Sequence, residues 1–296
     1  MKKIQMYIFS FLSILSSVCF AQKQVKLKSP DGNIVFSFKL TDKSPLYRVY
    51  FKGKILVDDS ELSLSFEDTG NFGEGLTMQK PSFRKVDENY ELIIGKSSKI
   101  RNHYNEMTVP LVEPNGTKRK INVTVRVFDD GIGFRYEFPK QKQWQSYVMT
   151  NENSSFNLTQ NPTVYTLFRE NYNTSHEGLY SILPYDQITN DTLMDMPALF
   201  EFPDKTYMAI TEANLRDYAG MYLRKHGGVL TSQLSPLQGQ EEIKVKAELP
   251  HRTPWRVLLI GNKIGTLIES NIITNLNESS PIADTSWIKP GKTTFH

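Results

Sequence analysis

The sequence has a single cysteine among its 296 residues, Cys19, which lies within the first 21 residues. If that segment is removed, the remaining chain has no thiol for a disulfide bond, a nucleophile or a thiolate metal site. Clusters of Lys and Arg with interleaved aromatic residues are also missing, and 35 Lys and Arg against 32 Asp and Glu give a net charge of only +3. Nucleic acid is therefore not an expected partner.

The first 21 residues have the layout of an export signal. Two lysines precede a mostly apolar run over residues 4–20, and Ala21 is followed by polar residues. This layout predicts a cleaved signal peptide over residues 1–21 and a periplasmic or secreted protein. A lipoprotein attached through Cys19 is the less favoured alternative, because the preceding residues match the usual cleavage site poorly. No later run approaches the roughly 20 apolar residues that a membrane-spanning helix needs.

Alternation of apolar and polar residues recurs from residue 24 to about residue 259. Residues 36–40, 62–66 and 121–127 each place apolar side chains on one face of a strand and polar side chains on the other. Turn sequences such as Asp129-Asp130-Gly131 separate these segments. The pattern predicts an all-β protein, a large sandwich of antiparallel strands.

One segment near the C-terminus has a different period. Its apolar residues recur at helical spacing and are Ile264, Leu267, Ile268 and Ile272. We therefore predict a short C-terminal helix within residues 263–276. The prolines and glycine beyond it predict a linker over residues 278–296, which leaves a β-domain over residues 22–277.

Several short patterns imitate catalytic motifs but fail on spacing. Gly291-Lys292-Thr293 lacks the first glycine of a phosphate-binding loop, and His176-Glu177 lacks the second histidine of a zinc protease helix. Three pairs of adjacent carboxylates are interpreted as solvated turns: Asp58-Asp59, Asp129-Asp130 and Glu241-Glu242. No catalytic residue is assigned.

Residues 168–180 hold the densest group of functional side chains. Glu170 and Glu177 flank amides, tyrosines and His176 without a clear period. This composition is typical of a loop with oxygen ligands or sugar contacts, and also of a polar loop packed by its own tyrosines. The tryptophans could likewise stack on sugars, although they are more often core residues in a sandwich; they are Trp144, Trp255 and Trp287.

Six segments in a fixed order carry a resemblance to one family. They are residues 29–32, 126–136, 210–223, 253–257, 269–277 and 284–292. Together they resemble the N-terminal domain of glycoside hydrolase family 97, the secreted bacterial α-glucosidases and α-galactosidases that hydrolyse terminal α-glycosidic bonds of oligosaccharides. The resemblance implies a β-supersandwich of the galactose-mutarotase type.

The resemblance also implies partners and a metal ion. In this family the supersandwich packs against a catalytic (β/α)8 barrel, and a calcium ion beside the catalytic carboxylates takes one glutamate from the N-terminal domain. The matching candidate is Glu177, with Glu170 as the alternative, and oligosaccharide is the implied ligand. Such a barrel takes about 250 residues. We therefore expect this chain to be a truncated form that is inactive alone.

Two other functions stay open. A stand-alone periplasmic carbohydrate-binding protein would use the concave face of the sandwich and exposed tyrosines such as Tyr172 and Tyr180. An epimerase-like enzyme would follow from the mutarotase-type fold, but no pair of histidines can be matched to such a site.

Overall fold

The computed structural model describes residues 24–289 and 291. The signal peptide predicted over residues 1–21 lies outside the described residues. No helix in the described part of the chain is long and apolar enough to cross a membrane.

Regular structure in the described chain is mainly β. In chain order the strands are β1 (Gln24–Lys28), β2 (Ile34–Leu40), β3 (Pro45–Phe51), β4 (Lys54–Glu61), β5 (Leu64–Phe66), β6 (Gly70–Phe72), β7 (Thr77–Met78), β8 (Ser82–Glu91), β9 (Lys99–Val112), β10 (Lys120–Phe128), β11 (Gly131–Phe138), β12 (Ser146–Glu152), β13 (Ser155–Phe156), β14 (Thr163–Thr166), β15 (Phe168–Arg169), β16 (Ser181–Pro184), β17 (Leu193–Met194), β18 (Ala198–Glu201), β19 (Tyr207–Ala213), β20 (Met221–His226), β21 (Val229–Leu234), β22 (Val245–Glu248), β23 (His251–Arg252) and β24 (Trp255–Gly261). The helices are a 3-10 turn (Tyr185–Gln187), α1 (Ile264–Glu269) and α2 (Ile272–Asn275).

The described strands form four antiparallel sheets. The largest has 11 strands in the order β16-β14-β18-β19-β24-β11-β10-β9-β7, with β23 beside β11 and β8 beside β9. The three smaller sheets are β1-β2-β3-β4, β22-β12-β5-β6 and β13-β21-β20-β17-β15. The prediction of an all-β antiparallel supersandwich is confirmed.

The main core lies between one face of the 11-stranded sheet and the smaller sheets. In β10, alternate residues point into it, and Ile121, Val123 and Val125 are fully buried. Phe36 of β2 and Tyr47 of β3 stack in the same core with ring centroids 5.3 Å apart. The period-two pattern of the sequence thus marks the buried face correctly.

Strand β24 is buried on both faces. Leu258 and Ile260 belong to the main core, whereas Trp255 and Val257 belong to a second cluster on the outer face of the large sheet. Ile272 and its neighbours in and after α2 cover that outer face. This double burial explains why β24 has a nearly continuous apolar sequence.

The predicted C-terminal helical segment is confirmed, but it is split into α1 and α2 at Ser270. Ile272 and Leu276 pack on the sheet, whereas Ile264 and Ile268 on α1 are 48% and 70% exposed. The break separates the two halves: in α1 Leu267 packs partly buried against the second cluster, whereas the fully buried apolar residues lie in and after α2. Residues 278–289 contain turns but no helix or strand, and their role as a linker stays a prediction.

Two glycines of β11 allow β24 and the segment after α2 to approach closely. A Cβ on Gly131 would lie 2.3 Å from the carbonyl oxygen of Leu258, and one on Gly133 would lie 2.7 Å from a methyl group of Leu276. The hairpin sequence Asp129-Asp130-Gly131 therefore serves packing as well as the turn.

The interpretation of adjacent carboxylates as solvated turns is correct for Glu241-Glu242, which lie in an exposed turn. It is wrong for Asp58 and Asp59, which lie within β4 and both form ion pairs with Arg48, at 2.7 and 2.9 Å. Two adjacent carboxylates in an edge strand look the same in the sequence as two in a turn when the strand pairing is not known.

Candidate functional site

The residues richest in functional atoms form a loop, as predicted. Residues 170–180, called here the carboxylate loop, connect β15 to β16. Strand β15 pairs with β17 in the five-stranded sheet, and β16 pairs with β14 at the edge of the 11-stranded sheet. The loop therefore bridges two sheets at one edge of the sandwich.

One carboxylate, that of Asp195, fastens the base of the carboxylate loop. Its Oδ2 accepts hydrogen bonds from Nη1 of the buried Arg169 at 3.3 Å and from Nδ1 of His176 at 2.6 Å. Arg169 also donates to the carbonyl oxygen of Thr174. Because Asp195 directly follows β17, the sheet itself positions this anchor.

Aromatic contacts hold the first half of the carboxylate loop. Tyr222 of β20 meets Tyr172 edge to face at 5.3 Å between centroids, and the ring of His176 stacks on it at 6.3 Å. The side-chain oxygen of Asn171 accepts the backbone N–H groups of Asn173 and Thr174. This half is a polar loop that packs on the sheet through contacts of Tyr172 and His176 with Tyr222.

The second half of the carboxylate loop projects into solvent. Glu177 is exposed, Leu179 is 94% exposed, and the adjoining Tyr180 and Ile182 are also exposed. The carboxylates of Glu170 and Glu177 form no ion pair or hydrogen bond within the described residues. Both side chains are thus available to a ligand.

The donor atoms of Glu170 and Glu177 suit calcium, which binds carboxylate oxygens. Calcium takes six to eight oxygen ligands, and the part of the chain that the structure describes contains no group of three or more His, Cys, Asp or Glu arranged to hold a metal ion. These residues can therefore supply only part of a calcium site.

A cluster of charges that the sequence analysis did not single out lies inside the main core. Arg256 and Glu152 are both fully buried, and two guanidinium nitrogens of Arg256 each lie 2.7 Å from a different oxygen of Glu152. The third nitrogen donates to Glu212 at 2.7 Å, and the hydroxyl of Tyr218 donates to Glu152 at 2.9 Å. We call these four residues the buried ion network.

The pKa shifts in the buried ion network follow from burial and pairing. Burial alone would lower the pKa of Arg256, but the charges and hydrogen bonds of Glu152 and Glu212 raise it above its ordinary value. Burial raises the pKa of Glu212 despite the nearby guanidinium. Arg256 and Glu152 are closed to solvent, the Glu212 side chain is 16% exposed, and the charges pair with one another, so we assign the network a structural role. The sequence signal for this network is Arg256 itself, a charged residue within the otherwise apolar sequence of β24.

Two of the three tryptophans are core residues and cannot stack on a sugar. Trp144 and Trp255 are buried, and Trp255 lies between the guanidinium groups of Arg126 and Arg135, at 4.8 and 4.2 Å. Trp287 is 68% exposed, and its indole donates a hydrogen bond to the carbonyl oxygen of Asp284.

We expect Asp195→Ala to loosen the carboxylate loop without unfolding the sandwich. The substitution removes the acceptor shared by Arg169 and His176, so amide hydrogen exchange in residues 170–180 should rise by roughly tenfold. Asp191→Asn is the control, because Asp191 pairs with the exposed His226 and asparagine tolerates the left-handed backbone at this position. Equal exchange in the wild-type protein and Asp195→Ala would contradict the anchoring role.

The antiparallel sheets and the outward-facing carboxylate loop define an all-β sandwich domain with exposed acidic side chains at one edge. The family model described as "Glycosyl-hydrolase 97 N-terminal" matches residues 27–279. The chain belongs to glycoside hydrolase family 97 and corresponds to the N-terminal domain of these enzymes.

Two curated relatives are much longer than this chain. The "Retaining alpha-galactosidase" of Bacteroides thetaiotaomicron is 28% identical over 319 aligned positions, which cover 99% of this chain and 46% of that protein. The "Probable retaining alpha-galactosidase" of Streptomyces bingchenggensis is 30% identical over 240 positions, covering 81% of this chain and 35% of the relative. The chain thus spans less than half the length of either relative.

A solved structure supports the same assignment. A family 97 enzyme from Pseudoalteromonas sp. strain K8, in complex with panose, superposes with a TM-score of 0.85 at 30% identity. The match covers 90% of this chain and 40% of that enzyme. The structure of the same enzyme with acarbose gives a TM-score of 0.84.

Proposed function

We propose that this chain supplies a wall and a calcium ligand to the active site of an α-glycosidase that hydrolyses terminal α-glycosidic bonds of oligosaccharides. The observation that carries the proposal is the carboxylate loop, which presents Glu177 to solvent without a partner among the described residues. The relatives named as α-galactosidases and the family 97 enzyme that binds panose support the substrate class.

A catalytic domain that packs over the carboxylate loop would complete the calcium site. Glu177 would be the ligand from this chain, with Glu170 as the alternative. The exposed apolar side chains of Leu179, Tyr180 and Ile182 adjoin it, and such a group is typical of a surface that another part of a protein covers. Calcium in this position would neutralise nearby carboxylates and fix their orientation.

A domain exchange tests this function directly. Residues 24–289 would replace the N-terminal domain of the Bacteroides α-galactosidase, and hydrolysis of 4-nitrophenyl α-galactoside would be measured against calcium concentration. Glu177→Gln should raise the calcium needed for half-maximal activity by about tenfold, because it removes a charged ligand. Glu170→Gln is the matched control and should have little effect.

Two outcomes would contradict the proposal. Equal calcium requirements for the unsubstituted hybrid and its Glu177→Gln and Glu170→Gln variants would exclude a calcium ligand in the loop. Calcium-dependent hydrolysis of α-galactoside or α-glucoside by this chain alone would exclude the dependence on a catalytic domain.

The place of action proposed here is the periplasm or the extracellular space. It rests on the lysines, apolar run and Ala21 of the first 21 residues. Expression in a bacterial host followed by mass spectrometry of the mature N-terminus should find Gln22 as the first residue, whereas an intact Met1 in the purified protein would contradict export.

A further inference from the structure

An open cavity of about 450 Å³ lies beside β10, β11 and β23, next to the turn over residues 214–217. We call it the arginine cavity, because Arg135, Arg216 and Arg252 all line it. Its volume falls within the range of small-molecule sites, about 300–1,000 Å³. No residue of the carboxylate loop lines it, so it is distinct from the calcium ligand proposed above.

The charges that line the arginine cavity balance one another. Glu137 accepts from Arg135 at 2.7 Å, and Glu278 accepts from Arg216 at 2.8 Å. Asp217 supplies a third carboxylate to match the third guanidinium. A cavity with this balance has no strong preference for an anion or a cation, but it offers many hydrogen-bond donors and acceptors.

Part of the arginine cavity is held rigidly. Arg135 is buried and lies 4.2 Å from the ring of Trp255, which fixes its guanidinium. His251, another lining residue, is hydrogen-bonded to the hydroxyl of Tyr147 at 2.7 Å, and burial lowers its pKa below the ordinary value. The imidazole is therefore neutral at pH 7 and adds no charge.

Two lining amides have unused hydrogen-bonding capacity. The side-chain oxygens of Asn122 and Asn214 are buried and have no hydrogen-bond partner among the described residues. Such atoms carry the cost of lost hydration. Both residues line the cavity, so a rotation about Cβ–Cγ that exposes either oxygen to it would let a hydroxyl group donate to that oxygen.

The turn at the mouth of the arginine cavity has a strained backbone. Asn214 and Asp217 both adopt left-handed conformations, with φ of +57° and +46°. Non-glycine residues in this region cluster at ligand sites, where the surrounding structure maintains them. Asn214 is thus both left-handed and one of the unpaired amides, and Asp217 adds a second left-handed position at the mouth.

We propose that the arginine cavity binds a neutral saccharide. The fixed guanidinium of Arg135 would donate to sugar hydroxyl groups, and the side-chain oxygens of Asn122 and Asn214 would accept from them. The balanced charges favour an uncharged polyol over a phosphate or an amine. The site needs neither calcium nor a catalytic domain.

Isothermal titration calorimetry with panose and melibiose, in EDTA, tests the proposal. The wild-type chain should bind at least one of them with a dissociation constant of about 1 mM. Asn214→Gly keeps the left-handed turn and removes the amide, so it should weaken binding about tenfold. Asp191→Gly is the matched control, because Asp191 is also left-handed, with φ of +64°, but lies outside the cavity.

The controls separate this proposal from the calcium proposal. EDTA removes calcium, so failure of the calcium proposal leaves this result unaffected. If Asn214→Gly does not fold, the exposed Arg252→Ala replaces it and should weaken binding in the same direction. Absence of binding heat up to about 50 mM of either sugar, or equal affinity in the wild type and the cavity variant, would overturn the proposal.

Discussion

Arg256→Met is expected to lower the free energy of unfolding by about 3–5 kcal/mol, because breaking a buried ion pair from one side leaves an uncompensated charge. In this protein the substitution leaves the fully buried carboxylate of Glu152 and the half-buried carboxylate of Glu212 without their shared cation. The neutral hydroxyl groups of Tyr218 and Ser154, which also donate to Glu152, cannot replace three hydrogen bonds from a guanidinium.

Urea denaturation followed by tryptophan fluorescence would measure the effect of Arg256→Met. Arg84→Met is the control, since Arg84 pairs with Glu106 at the surface and such pairs contribute about 0–1 kcal/mol. Adding Glu152→Gln to Arg256→Met should recover part of the loss. A denaturation midpoint of Arg256→Met equal to that of Arg84→Met would refute the structural role of the network.

Trp255→Ala should have an effect of similar size, about 3–5 kcal/mol, because it empties a large site in the second cluster. The ring is fully buried between two guanidinium groups, and it lies against Gly133 on the same face that α2 covers. The space left by the indole should therefore weaken the packing of α2 as well as that of β24.

Amide hydrogen exchange across residues 264–276, together with urea denaturation, would detect both consequences of Trp255→Ala. Trp287→Ala provides a control of the same chemistry at an exposed position and should change stability by less than about 0.5 kcal/mol. If both tryptophan variants unfold at the same urea concentration, Trp255 does not hold the helices to the sheet.

The fold could be predicted because its signals are local. Alternation in residues 121–127 marks the buried face of β10, and the Asp129-Asp130-Gly131 turn marks the hairpin that follows. The extent of the helix could not be predicted in this way. Ile264 and Ile268 have the spacing of a buried face, but only the tertiary structure shows that α1 leaves both exposed.

The sequence predicted that the candidate site is a loop, but it did not predict which residues hold that loop in place. The anchor Asp195 is 19 residues from His176 in sequence and reaches it through the pairing of β15 with β17. The partners Glu152 and Arg256 are 104 residues apart. Contacts of this kind depend on sheet order, which a single sequence does not specify.

The position of β24 also affects how the protein folds. This late strand lies in the middle of the 11-stranded sheet, between β11 and β19. Until it joins the sheet, both of these neighbours have an open edge that can pair with other chains. A partly folded chain that lacks β24 therefore exposes two edges at once, and the seven residues of this strand remove both.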